Sequence, residues 1–198
     1  SAIHEHLVLS GACFGTAFGW ERPNWFSPGE PAPQYQYSWG RQNWFEPSAE
    51  EHRAAREDVA IFDQTSFAKF LVEGPASETV LQEVCAGDVD VPLGRAVYTQ
   101  WLNPRGGIEA DLTVTRLAED KYIVVTGAAN ATRDFAWLKR HIGDRFAIAT
   151  DVTSGVCMLG LMGPKSRDLL NTVCKVDLSN NGFPFLTSQE VEIGYARV

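Results

Sequence analysis

The sequence predicts an α+β fold: an antiparallel sheet with helices on one face, built from strand-helix-strand-strand units of ferredoxin-like type used twice. One observation behind this is an internal repeat. FLVEGPASETVLQEVC (70–85) aligns with LGLMGPKSRDLLNTVC (159–174), so that Gly74 matches Gly163 and Cys85 matches Cys174, each 89 residues further on. In both copies an apolar strand ends at glycine, proline takes the first helical turn where its missing N–H is harmless, and an amphipathic helix follows. The other observation is what separates the copies, namely stretches in which apolar residues recur at every second place, followed by a helical period.

In chain order, residues 15–47 are rich in Trp, Phe, Tyr, Pro and Gly and lack a clean period. Trp20, Trp25, Trp39 and Trp44 are too much apolar area to leave in water, so this stretch is expected to pack as a strap across a neighbouring surface. Ser48 and Glu51 form a capping box that opens a helix through about Val59. Phe62 and Asp63 follow, and a strand begins near Phe67. Strands are then expected at 97–102, 108–117 and 122–126, a helix at 130–141 and a strand at 146–152. After the second copy, 186–198 reads as a final strand that ends without a capping element, as in a piece of a longer chain. The expected division is a junction over 1–47 and a folded domain over 48–198.

Composition narrows the function. With 198 residues, 44% of them hydrophobic, the chain can bury a sizeable core. A net charge of −8 argues against a nucleic-acid scaffold. No apolar run is long enough to span a membrane, and the first residues lack the pattern of a signal peptide, so a cytoplasmic or organelle-matrix location is expected. Cys13, Cys85, Cys157 and Cys174 include no CxxC pair and read as reduced, mostly core thiols. His4 and His6, which alternate as on one strand face, have no further ligand in register, so no metal is expected. His52 and His141 fall on predicted helices beside Arg and Lys, with no nucleophile partner. Neither GxGxxG nor GxxxxGK[ST] occurs, which excludes a nucleotide phosphate loop within these residues.

The stretch that carries chemistry is NPRGGIEADLTVTR (103–116). Two glycines allow a reversal, after which Ile108, Ala110, Leu112 and Val114 recur with period two. Glu109, Asp111, Thr113 and Thr115 therefore share the opposite face. That face meets water, a ligand or another layer; alternation alone does not choose. Asp111 is the candidate catalytic residue, and Glu109 is a like charge two places away.

Several motifs together resemble one family, the folate-binding aminomethyltransferase module of the glycine cleavage T-protein. They are FDQTSFAKFLVEGP (62–75), Tyr98 in RAVYTQWLN (95–103), GGIEADLTVTRL, VVTGAANATRDFAWL (124–138) and LGLMGPKSRDLL (159–170). The upstream GWERPNWF (19–26) is similar to the junction of sarcosine and dimethylglycine dehydrogenases, where a flavin domain precedes the folate module.

The resemblance implies a parent enzyme whose N-terminal part, outside these residues, binds FAD and oxidises a methylated amine. This module then passes the one-carbon unit to tetrahydrofolate. It implies Asp111 as the essential acid, Tyr98 and Asn130 lining the folate cavity, and Asp63 in its floor. Thr115 stands where many T-proteins present a tyrosine to the ligand. Read from the residues alone, Tyr98 is equally a sheet residue, Asn130 a helix cap and Asp63 a turn residue. Two further readings stay open: a noncatalytic module resembling the regulatory subunit of pyruvate dehydrogenase phosphatase, and a stand-alone aminomethyltransferase. The donor amine and the oligomeric state are not encoded in these residues.

Overall fold

A computed structural model describes residues 2–198, which divide into two compact units. The first comprises the chain up to Thr65 together with Cys157–Val173, and the second comprises Ser66–Val156 and Cys174–Val198. The chain thus passes from one unit to the other just before the first repeat copy and returns just before the second.

In the first unit, α1 (His4–Leu9) precedes a hairpin of β1 (Ala12–Ala17) and β2 (Trp20–Phe26). The alternation of His4 and His6 suggests a strand there, but the local chain closes a helical turn, with Leu7 N–H bonded to the Ile3 carbonyl at 3.0 Å. The hairpin lies in the stretch that lacks a period. Its turn is Phe18-Gly19, with φ of 54° and 82°. A phenylalanine at positive φ is rare, so no turn dipeptide announces it. Pro23 sits beside a register shift at Cys13/Phe14, where a missing N–H costs least.

Of the four tryptophans, Trp25 is buried, but Trp39 is fully exposed. The aromatic residues satisfy one another instead: Tyr35 stacks on Tyr37, and Trp44 meets both edge-on. Helix α2 (Phe45–Glu57) begins three residues before the expected cap, because Pro47 falls in the first turn, where its lack of an N–H is tolerated. Glu51 does not close a capping box. Its carboxylate accepts the Phe26 N–H at 3.1 Å, and burial raises its pKa. β3 (Ala60–Asp63) pairs antiparallel with β9 (Leu159–Met162), which leads to α5 (Ser166–Val173).

In the second unit, β4 (Ala68–Glu73), α3 (Ser77–Val84), β5 (Ala96–Leu102), β6 (Ile108–Ala118), β7 (Lys121–Thr126), α4 (Ala131–Ile142) and β8 (Ile148–Asp151) follow one another. They build a five-stranded sheet in the order β5-β6-β7-β4-β8, with every neighbouring pair antiparallel. Phe70, Val72, Leu112, Val114, Tyr122 and Val124 on one sheet face pack with Val80, Leu81 and Val84 of α3 and Leu138 and Ile142 of α4. Helices on one face of an antiparallel sheet is the predicted arrangement. The end of the chain is a short hairpin, β10 (Glu192–Ile193) with β11 (Ala196–Arg197), rather than one strand. Gly194, at φ 61°, reverses it.

The repeat is as visible in geometry as in sequence. Helices α3 and α5 each span eight residues at the same offset. Ala76 N–H bonds the Phe146 carbonyl at 3.1 Å, and the matching Lys165 N–H bonds the Asp58 carbonyl at 3.0 Å. The correspondence extends further. Asp63 Oδ1 accepts the Thr65 N–H at 3.1 Å, and Asp151 Oδ1 accepts the Thr153 N–H at 2.9 Å. Each threonine hydroxyl then receives a strand N–H: Met158 N–H on Thr65 at 3.3 Å, and Lys69 N–H on Thr153 at 3.0 Å. Since Thr153 is buried, replacing it by valine removes that acceptor from an N–H shielded from water. Thr153→Val is expected to lower stability by about 1–2 kcal/mol in urea denaturation.

Candidate functional site

The hairpin that carries the site is shaped by Asn103. Its Oδ1 accepts the N–H groups of Arg105 and Gly107, both at 3.0 Å, and Gly106 turns at φ 77°. A Cβ on Gly107 would lie 2.8 Å from Asn103 Nδ2, so the second glycine serves close approach while the first serves the reversal. From this turn β5 and β6 run in a register that sets Gln100 opposite Asp111, and Tyr98 opposite Thr113. Ala110, Leu112 and Val114 face the helices and are buried. Alternation therefore puts Tyr98, Gln100 and Asp111 on the other face.

There the Asp111 carboxylate is exposed and held at both oxygens. Tyr98 Oη donates to Oδ2 at 2.8 Å, and Gln100 Nε2 donates to Oδ1 at 3.1 Å. Each oxygen keeps a second acceptor position, so the group can still receive an N–H from a ligand. Glu109, on the same strand face, is turned to the loop, where it accepts Asn103 Nδ2 at 2.8 Å. Its backbone carbonyl accepts from Arg133, at the start of α4. Among the described residues no group of three or more His, Cys, Asp or Glu is arranged to hold a metal, and no helix is long and apolar enough to cross a membrane.

The hydrogen bond to Asp111 holds the Tyr98 phenol above the ordinary tyrosine range. Loss of solvent and the charge of Asp111 add to this, and Gln100 opposes it. An unfolded tyrosine ionises near pH 10, so this coupling leaves stability untouched below that pH. Above it, stability falls, because the unfolded phenol gives up its proton first. In a ¹³C-tyrosine NMR titration the Tyr98 resonance is expected to titrate later than a free tyrosine, and Asp111→Ala to bring it back.

The other predicted positions are placed differently. Thr115 is buried on β6, four residues along from Asp111 and paired with Ala96 and Ile123. At roughly 3.3 Å per residue, that is about 13 Å away along the strand. Asn130 occupies the N-cap position of α4, is exposed, and makes no side-chain capping bond. Asp63 belongs to the first unit, and its carboxylate forms the turn onto Thr65. Gln100 is not among the predicted residues, although the period-two face of β5 and the glycine turn together imply that it lies opposite Asp111. A groove along α4 and β8, lined by Ala131, Thr132, Phe135, Lys139, Arg140 and Asp151, contains none of the predicted residues.

This α+β framework, with its duplicated strand-glycine-helix, is that of the aminomethyltransferase T-protein. The solved structure of glycine cleavage system aminomethyltransferase T from Bartonella henselae matches 97% of this chain and 47% of that one, with a TM-score of 0.76 and 26% identity. The chain belongs to the GCVT N-terminal domain family, whose profile matches residues 3–198. It is 44% identical to 4-methylaminobutanoate oxidase (formaldehyde-forming) of Paenarthrobacter nicotinovorans, over 98% of this chain and 24% of that protein. To the mitochondrial sarcosine dehydrogenase of Mus musculus it is 32% identical, over 96% of this chain and 25% of that protein. The chain thus spans about a quarter of the length of these curated relatives.

Proposed function

We propose that this chain is the folate-facing part of a flavin-dependent N-methylamine dehydrogenase or oxidase, and that it passes a one-carbon unit to tetrahydrofolate to give 5,10-methylenetetrahydrofolate. The single observation that carries this is the Asp111 carboxylate, exposed on the helix-free face and aimed by two donors while it keeps acceptor capacity. Names of relatives supply the donor class: sarcosine in one, 4-methylaminobutanoate with release of formaldehyde in the other. FAD is assigned to further parts of the parent protein, since these residues contain no glycine phosphate loop.

In this reading Asp111 receives the proton of the folate N10 as that nitrogen bonds to the incoming carbon, and its charge favours the cationic iminium during transfer. The acceptor is itself a nucleophilic amine, so no protein nucleophile is required and positioning supplies much of the acceleration. Tyr98, 60% exposed and tethered through its hydroxyl, offers its ring to the pterin or aryl group. Asn130 and Thr115 are proposed contacts further out, and Asp63 one from the first unit. The location proposed is cytoplasmic, or the mitochondrial matrix in a eukaryote.

The test is calorimetric titration of tetrahydrofolate into the full-length protein. Saturable binding that weakens in Tyr98→Ala is expected. Absence of binding, or binding indifferent to Tyr98, would overturn the assignment of this face to folate.

A further inference from the structure

We infer that Gln100 is a positioning residue that fixes the orientation of the Asp111 carboxylate, a role that rests on the reading of Asp111 just given. The terminal torsion of an aspartate is soft, so one hydrogen bond leaves its carboxylate free to pivot. Tyr98 alone provides one such bond, at Oδ2. Gln100 provides the second, at Oδ1, from two residues further along the same strand. Donors two places apart on one strand thus grip the two oxygens of a carboxylate on the next, and the remaining acceptor positions are left facing one way.

The Gln100 side chain acts on Asp111 and Tyr98, whereas its backbone carbonyl serves the fold by accepting the Ala86 N–H at 2.8 Å. Structural duty and aiming duty therefore fall on different atoms. An amide suits the second duty because its nitrogen donates at every working pH and carries no charge. A glutamate of the same shape would set two carboxylates opposite each other across the ladder. A hydrophobe of the same length would leave Oδ1 without its donor.

The experiment compares Gln100→Met, Gln100→Glu and Asp111→Asn in the full-length protein, measuring methylene transfer as kcat and KM for tetrahydrofolate. Gln100→Met is expected to lower kcat about tenfold with KM unchanged within about twofold, the signature of lost aim rather than lost binding. Gln100→Glu is expected to lose more, and its deficit to deepen as pH rises through the ionisation of the new carboxyl, from about pH 4 to 6. On this chain alone, the Tyr98 ¹³C resonance should titrate later still in Gln100→Met, since the amide that opposes the Asp111 effect is gone. Unchanged kcat in Gln100→Met beside an inactive Asp111→Asn overturns the assignment of Gln100 and leaves Asp111 standing. A raised KM at unchanged kcat overturns it as well, by making Gln100 a direct folate contact. Full transfer by Asp111→Asn overturns the reading beneath both.

Discussion

Asp111→Asn is expected to lower methylene transfer by at least about 100-fold while leaving the fold intact, as measured by product formation and by thermal midpoint. The magnitude is that of a positioned general base, whose removal typically costs two to four orders of magnitude. Asparagine has the shape of aspartate but cannot take up the proton. It also disturbs the grip, because its NH₂ meets the NH₂ of Gln100, and one of the two amides must turn over to restore a donor-acceptor pair. Stability is expected to change by less than about 0.5 kcal/mol, as for most exposed sites. Transfer at the wild-type rate would remove Asp111 from the chemistry and return it to the role of a hydrogen-bonded sheet residue. An unfolded variant is not expected, since the core beneath consists of Ala110, Leu112 and Trp101, which the substitution does not touch.

Part of this was legible in the sequence because two short-range rules act with little competition. Period-two alternation marks β5, β6 and β7, and it puts Asp111 on the face away from Leu112 and Val114. The repeat marks α3 and α5 with the same length and offset. What escaped had physical reasons. The β1-β2 hairpin turns through Phe18-Gly19, a dipeptide with no turn signature, and its second strand contains Pro23. Helix α2 takes Pro47 into its first turn, so Glu51 is free to bond Phe26 across to β2 instead of capping. β3 escaped because Ala60, Ile61, Phe62 and Asp63 give no alternation, and its partner β9 lies about a hundred residues away in the chain. The role of Asp63 shows a different limit. Only the coordinates reveal that Asp63-x-Thr65 and Asp151-x-Thr153 make the same turn and hand the same threonine hydroxyl to a strand N–H, a structural duty that a single sequence does not separate from a binding one.

Gly74→Ala is expected to cost about 3 kcal/mol, read by urea denaturation of the second unit, and to be felt more strongly than Gly163→Ala in the first. Both glycines adopt φ values, 119° and 127°, that lie well beyond the left-handed helical well near 57° where asparagine is tolerated, so Asn is not expected to rescue either. Space is closed too. A Cβ on Gly74 would lie 2.5 Å from the Phe146 carbonyl oxygen, and one on Gly163 2.3 Å from that of Asp58. Those oxygens are the acceptors for Ala76 and Lys165, so relieving the clash breaks the bond that starts each helix. The two sites are alike in conformation and crowding, but the helices they lead into differ. Helix α3 buries Ser77, Val80, Leu81 and Val84, whereas α5 has no fully buried residue. Displacing α3 therefore loosens packed core, and displacing α5 moves a helix that is half in solvent, which the area rule for apolar burial makes cheaper. Equal losses at the two sites would mean that backbone strain alone sets the cost. A loss below about 0.5 kcal/mol at Gly74 would mean that the β4-α3 junction relaxes without consequence, against the close approach of Phe146 on which this expectation rests.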